Sequence, residues 1–258
     1  MLCRDIIDVI EYTYPKHAAL EWDNVGLLVG RSEKEVKKIY VALDATDEVI
    51  DAAVRLGADM LVTHHPLIFS PLKKITDEHF IGNRVVKLLQ HDISYYAMHT
   101  NYDVLGMADL SGKILGLQDE DVFEVTDETN HIGIGRIGKL YEEMTLEKCC
   151  ELVKETFHLP SVKLFGDRNA TVKYAAISPG SGKKMTGIAI ARGADVLITG
   201  DIDHHEGIDA LAQGLAIIDA GHYGLEHIFI EDMADYLKKH LKAVEIMKAE
   251  IIHPFQVI

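Results

Sequence analysis

The sequence predicts an α/β protein with two similar α/β domains, and three patterns support this prediction. Apolar, β-branched runs alternate with helical segments over most of the 258 residues, which is typical of a layered and largely parallel sheet. A segment of the N-terminal half resembles a segment of the C-terminal half. Side chains that bind metals recur directly after predicted strands. We therefore expect the two domains to form a metal-containing cleft at their interface.

The first part of the chain has the clearest alternation. A helix is expected from Arg4 to Tyr12, ended by Pro15, and the runs VGLLVG and VKKIYVALDA then predict two strands. The segment DEVIDAAVRLG predicts a helix that ends at Gly57. The next four segments, ADMLVT, IGNRVVKLLQ, ISYYAMHT and GMADLSGKILG, predict a strand, a helix, a strand and a helix.

The pattern changes near Asp121 and later resumes. A hairpin-like region is predicted from about Asp121 through HIGIGRIGKL, followed by the helix TLEKCCELVKETF and the strands VKLF and VKYAAI. Then come a helix (KKMTGIAIARG), a strand (ADVLITG), a helix from about His205 to Gln213, a strand (LAIIDA) and an amphipathic helix from about Gly224 to Leu241. These changes predict a first domain over residues 1–125, completed by the C-terminal segment 227–258, and a second domain over 126–226.

An internal repeat connects the two halves. AAVRLGADMLVT (Ala52–Thr63) resembles IAIARGADVLIT (Ile188–Thr199), and QHDISYYAMHTNYD (Gln90–Asp103) lies over QGLAIIDAGHYGLE (Gln213–Glu226). Chance similarity is the alternative explanation, because glycine is common at the ends of helices, where the turn favours it. Two matching blocks in the same order favour duplication of an α/β unit.

Histidines and carboxylates follow four predicted strands. These residues are His64 and His65, His99 and Asp103, Gly200 with Asp201, and His222 and Glu226. Ligands of open α/β sheets collect outside the carboxyl ends of the strands. We therefore expect these side chains to contribute to one site.

The motif LVTHHPLIF contains adjacent histidines just past a strand. A turn stiffened by Pro66 can direct both rings into one pocket, where each imidazole can bind one of two neighbouring metal ions. Glu226 lies four residues after His222, so both share one face of a helix. These spacings favour metal binding over a structural role. Seven further histidines are interpreted as core or exposed residues: His17, His79, His91, His131, His158, His240 and His253.

Three further segments leave alternatives open. In GDIDHHEG, Asp201 is either a helix N-cap or an acceptor that orients a ligand, and His204 or His205 lines the pocket, with His205 favoured. SPGSGKK (Ser178–Lys184) is either a turn into a helix or an anion site at its N-terminus. In EWDNVGLLVG, Trp22 lies in an early loop, where a packing role is favoured over a role in recognition.

Composition excludes several classes of protein. A net charge of −15 disfavours binding to nucleic acids. The sequence contains no apolar run of the roughly 20 residues that a membrane span needs, and charged residues interrupt the first turns after Met1. Cys3 and the adjacent Cys149 and Cys150 form neither a metal motif nor a disulfide framework. We expect a cytoplasmic protein with buried thiols.

With these residues identified, the sequence resembles the GTP cyclohydrolase 1 type 2 homologue family, also described as dinuclear metal centre hexameric proteins. The resemblance covers nearly the full chain through WDNVGLLVG, LVTHHPLIF, HTNYD, GADVLITGDIDHH and IDAGHYGLE. It implies two divalent metal ions per subunit, a cleft between two α/β domains and a toroidal homo-hexamer. The ligands that it implies are His64, His65, Asp103, His222 and Glu226.

The expected function is a metal-dependent hydrolase of cyclohydrolase type that acts on a nucleotide or cyclic amide. Two ions would lower the pKa of a bridging water and supply hydroxide at neutral pH. His205 and His99 are the candidate catalytic residues, as proton shuttles. Zinc, iron(II) and manganese(II) all suit three imidazoles and two carboxylates. The alternative is a non-catalytic metal-binding regulator or scaffold that acts through a hexameric ring.

Overall fold

The computed structural model describes residues 1–256 and contains two β-sheets with helices. In chain order the strands are β1 (Gly26–Val29), β2 (Lys38–Ala42), β3 (Met60–Thr63), β4 (Ser94–Ala97), β5 (Gln118–Asp127), β6 (Ile132–Thr145), β7 (Lys163–Phe165), β8 (Thr171–Ser181), β9 (Val196–Gly200), β10 (Ala216–Asp219) and β11 (Glu245–Lys248). The helices are α1 (Cys3–Thr13), α2 (Asp47–Leu56), α3 (Phe80–Gln90), α4 (Thr100–Tyr102), α5 (Ala108–Leu115), α6 (Leu146–Thr156), α7 (Met185–Ala191), α8 (His204–Ala212), α9 (His222–Glu226) and α10 (Ile228–His240). The predicted α/β class is confirmed.

The chain divides into two compact units, each with its own sheet. The first unit comprises Met1–Tyr102 and Ile228–Ile251, and the second comprises Asp103–His227 and the C-terminal segment from Ile252. The domain limits expected from the sequence, at 1–125 with 227–258 and at 126–226, stay a prediction.

The sheet of the first unit has the strand order β1-β4-β3-β2-β11. The β3 strand pairs in parallel with β2 and β4, β11 pairs in parallel with β2, and β1 is antiparallel to β4. All residues of β3 and β4 are buried. The lack of alternating polar residues in their sequences follows from this position, because central parallel strands have no solvent-facing side. The polar residues that follow these two strands are therefore attached to buried, rigid parts of the sheet.

The sheet of the second unit has the order β5-β6-β8-β9-β10-β7. The predicted hairpin is confirmed as the antiparallel pair β5 and β6. The β9 strand pairs in parallel with β8 and β10, and β7 is antiparallel to β10. The order β7-β10-β9-β8 therefore repeats the order and the directions of β1-β4-β3-β2.

Hydrogen bonds of the two units match at the level of single residues. Asp59 accepts from two consecutive backbone N–H groups beside and at the start of β2, and Asp195 accepts from two consecutive backbone N–H groups of β8. The strand registers pair Met60 with Ser94 and Val196 with Ala216. Ser94 thus corresponds to Ala216, so the sequence overlay of the second block is wrong by one residue within the strand.

Two expectations about the chain as a whole can be compared with the fold. Within residues 1–256, none of the helices has both the length and the apolar character needed to cross a membrane. The expected buried thiols are confirmed, since Cys3, Cys149 and Cys150 are all buried and free.

Candidate metal centre

Three histidines of the first unit lie together at the carboxyl ends of two parallel strands. His64 and His65 follow β3, and His99 follows β4. One ring nitrogen of each lies within 4.8 Å of those of the other two. The His64 ring is buried, and the other two are partly exposed. We call these three residues the histidine cluster, and its nitrogen atoms could hold a metal ion.

Each ring of the histidine cluster is oriented by an oxygen atom at Nδ1. The pairs are His64 with the Met98 carbonyl at 3.0 Å, His65 with Asp44 at 2.7 Å and His99 with Asp23 at 2.9 Å. Because a carbonyl or carboxylate oxygen only accepts, Nδ1 carries the proton and Nε2 presents the lone pair. Histidines that bind metals are held in the same way, with the second nitrogen donating to an oxygen.

Asp23 is a deeply buried partner of His99. Its side chain is 0% exposed, and its second oxygen accepts from the backbone N–H of Thr100 at 2.9 Å and from the hydroxyl at 2.6 Å. Burial alone raises the pKa of Asp23, but hydrogen bonds from His99 and Thr100 outweigh it and lower the pKa to about 2. Asp23 is therefore ionised at neutral pH and fixes the orientation of His99.

The second unit has a separate cluster that contains carboxylates and one imidazole. His222 begins α9 and Glu226 ends it, with His222 Nε2 and Glu226 Oε2 3.0 Å apart. Asp103 has a carboxylate oxygen within 4.8 Å of one of Glu226. The His222 Nδ1 atom donates to Asp201 Oδ2 at 2.7 Å. We call Asp103, His222 and Glu226 the acidic cluster.

Two glycines make room for the acidic cluster. Gly180 has φ +81°, and a Cβ atom there would lie 2.5 Å from Glu226 Oε1. A Cβ atom on Gly200 would lie 2.4 Å from the backbone N of His222. Ser178–Lys184 is the end of β8 and the turn before α7, so this motif places its glycine against the Glu226 carboxylate.

A cavity of about 350 Å³ in the second unit adjoins this cluster. Its lining includes His222, Asp201, Tyr223 and Phe255. Lys163 also lines it and pairs with the buried Asp219 at 2.5 Å. The cavity thus combines aromatic walls with charged groups, as small-molecule sites do.

The remaining predicted residues have mixed outcomes. Asp201 accepts a hydrogen bond from His222, and its role in orienting a metal ligand stays a prediction. Its N-cap role is wrong, because Asp203 caps α8. His205 is exposed on the first turn of α8, and its catalytic role stays a prediction. Trp22, expected to pack, leaves 57% of its surface exposed.

Sequence reasoning missed Asp23 and Asp44, which orient two rings of the histidine cluster. A signal for Asp44 was available, since it follows the predicted strand VKKIYVALDA as His64 follows its own. Asp23 lies 76 residues from His99 in the chain. No local pattern indicates that pairing.

Comparisons with known proteins agree with the predicted resemblance. The family model of Duf34/NIF3 (NGG1p interacting factor 3) matches residues 1–254. A GTP cyclohydrolase 1 type 2 homolog of Clostridium perfringens is 37% identical over 100% of both chains, and that of Lactococcus lactis is 39% identical over 93% of both.

Solved structures share the fold. A Bacillus cereus protein related to NIF3 is 28% identical with a TM-score of 0.93, covering 100% of this chain and 99% of that one. Reduced HcgD from Methanocaldococcus jannaschii is 31% identical with a TM-score of 0.83, covering 96% and 97%. The chain therefore belongs to the Duf34/NIF3 (NGG1p interacting factor 3) family.

Proposed function

We propose that this protein is a hydrolase that depends on two divalent metal ions. The proposed ligands are His64, His65, Asp103, His222 and Glu226. One observation carries the proposal: in both units, Nδ1 of each candidate histidine lies within 3.0 Å of an oxygen acceptor, which is the arrangement that orients Nε2 toward a metal ion. His222 Nε2 also lies 3.0 Å from Glu226, a second proposed ligand. Three neutral imidazoles and two carboxylates form a donor set suited to zinc, iron(II) or manganese(II).

When bound, such ions act as Lewis acids and generate a nucleophile from water at neutral pH. The chain itself must then move protons. His99 is the favoured candidate because ionised Asp23 holds its Nδ1 proton and leaves Nε2 to accept one. His205 is the second candidate, as an exposed imidazole on α8.

We infer that the substrate is a nucleotide or cyclic amide. Relatives are named GTP cyclohydrolase 1 type 2 homolog, and the cavity of about 350 Å³ beside His222 is in the range that binds small molecules. A homo-hexameric ring and a cytoplasmic location are proposed from the family resemblance. The free, buried cysteines agree with a reducing compartment.

The test is hydrolysis of GTP and of a panel of nucleotides and cyclic amides by metal-loaded protein. We expect turnover that falls at least about 100-fold in His99→Ala, which is the usual contribution of a positioned acid or base. The matched control is His91→Ala, which removes an exposed histidine after α3. Metal binding without turnover of any panel member would contradict the hydrolase and favour the regulator or scaffold.

A further inference from the structure

A pair of exposed aromatic rings lies in the first unit. Trp22 is 57% exposed and Phe69 is 56% exposed, although large aromatic side chains usually bury most of their surface. The ring centroids are 5.7 Å apart, and the ring planes meet at 50°. The two side chains thus form an angled, partly apolar surface that is open to solvent. We call it the aromatic platform.

Hydrogen bonds fix the backbone beneath both rings. Asp23, next to Trp22, accepts from the backbone N–H and the hydroxyl of Thr100. Asn24 donates from its side chain to the carbonyl of Ile68, next to Phe69, at 2.6 Å. The rings are therefore held in position without being buried. Such preorganisation lowers the entropic cost of binding a ligand.

The aromatic platform lies beside His99. The Trp22 and His99 ring centroids are 5.9 Å apart with an interplanar angle of 75°. Because His99 Nδ1 donates to Asp23, its Nε2 atom accepts a hydrogen bond or a proton. A ligand on the platform would therefore meet both an apolar surface and an acceptor.

We propose that Trp22 and Phe69 bind a planar nitrogen heterocycle, such as a nucleobase, with a ring N–H directed to His99 Nε2. A flat ring can stack on one side chain and pack edge-on against the other, which are the preferred aromatic geometries. The net charge of −15 disfavours a polymer and favours a single nucleoside. The proposal rests on the proposed function, because the ring would belong to the substrate.

Fluorescence tests the aromatic platform directly, because Trp22 is the single tryptophan of the sequence. The protein is titrated with guanosine and with uridine, which both carry a ring N–H, and with ribose as a control. We expect saturable quenching by both nucleosides and none by ribose. Phe69→Ala should weaken nucleoside binding at least about fivefold, in line with the stacking contribution of one aromatic ring.

Matched variants separate the aromatic platform from a general surface effect. Phe80→Ala, which removes a phenylalanine that is 55% exposed and contacts Arg84, should leave the titration unchanged. Equilibrium dialysis with labelled uridine should show weaker binding by Trp22→Ala and recovery in Trp22→Phe. An unchanged affinity in Phe69→Ala, or equal quenching by ribose, would overturn the proposal. A change in Trp22 emission with protein concentration, in the absence of nucleoside, would also overturn the proposal. It would indicate that a second copy of the chain covers the rings.

The titration needs no turnover, so the two proposals fail separately. Nucleoside binding at the aromatic platform without hydrolysis of any panel substrate would contradict the hydrolase and support the platform. Hydrolysis of a nucleotide without any quenching of Trp22 would support the hydrolase and contradict the aromatic platform.

Discussion

The two units share a strand order but carry different chemistry at corresponding positions. By strand register Thr63 corresponds to Thr199, and the next residues are His64 and His65 in one unit and Gly200 and Asp201 in the other. The first unit therefore carries a cluster of three imidazoles, and the second carries a cluster of two carboxylates and one imidazole. Gly200 cannot be a histidine, because any Cβ atom there would collide with the backbone of His222. The two units thus share one arrangement of strands, and local packing limits which donors each unit can hold at corresponding positions.

The largest expected effect comes from deleting one donor in each unit. His64→Ala and His222→Ala should each weaken metal binding more than about 100-fold, beyond the 10- to 100-fold typical of residues that only orient ligands. Competition with a chromogenic chelator measures the affinity. If metal affinity fell in only one of the two variants, the unit that carries the other substitution would not bind metal. The proposal that both units provide metal ligands would then be wrong.

The next effect compares the carboxylates that orient ligands in the two units. Asp44 and Asp201 each accept from a ligand histidine at 2.7 Å. Asp44→Ala and Asp201→Ala should therefore each cost about 10- to 100-fold in metal affinity. Asp47→Ala, which removes a carboxylate paired with Arg84, is the control and should bind metal like the wild type.

A glycine pair isolates the packing around the acidic cluster. Gly180→Ala combines a positive φ with a contact 2.5 Å from Glu226 Oε1, whereas Gly214→Ala has φ +86° and no atom within 4 Å. We expect Gly180→Ala to lower the free energy of unfolding by about 1–3 kcal/mol more than Gly214→Ala, and to reduce metal content. Denaturant titration and elemental analysis measure both. Equal behaviour of the two variants would show that Glu226 does not depend on Gly180.

The smallest expected effect concerns pH and the first unit. The pKa of Asp23 is about 2 in the folded protein and 3.8 ordinarily, so this carboxylate stabilises the fold fully above pH 4 and loses that contribution as pH falls through 2. The difference corresponds to at most about 2 kcal/mol. Denaturant titrations between pH 5 and 3 should therefore show a smaller loss in Asp23→Asn than in the wild type. An equal loss of unfolding free energy in Asp23→Asn and in the wild type would contradict the assigned role of Asp23.

Local patterns predicted much of the scaffold and of the donor set. Apolar runs located strands such as β3 and β9, because buried parallel strands cannot alternate. The spacing of His222 and Glu226 predicted their proximity, because four residues make one helical turn. Asp23 and the exposed ring of Trp22 were not predictable, because both depend on which loops pack around His99. The one-residue error in the overlay has a similar cause, since hydrogen-bond register is a tertiary property.

Elemental analysis of protein purified without chelators is the most direct test of the central claim that donors from both units hold two divalent ions. We expect close to two ions per chain in the wild type, and fewer in both His65→Ala and Glu226→Gln. Less than one ion per wild-type chain, or an unchanged content in both variants, would contradict the account.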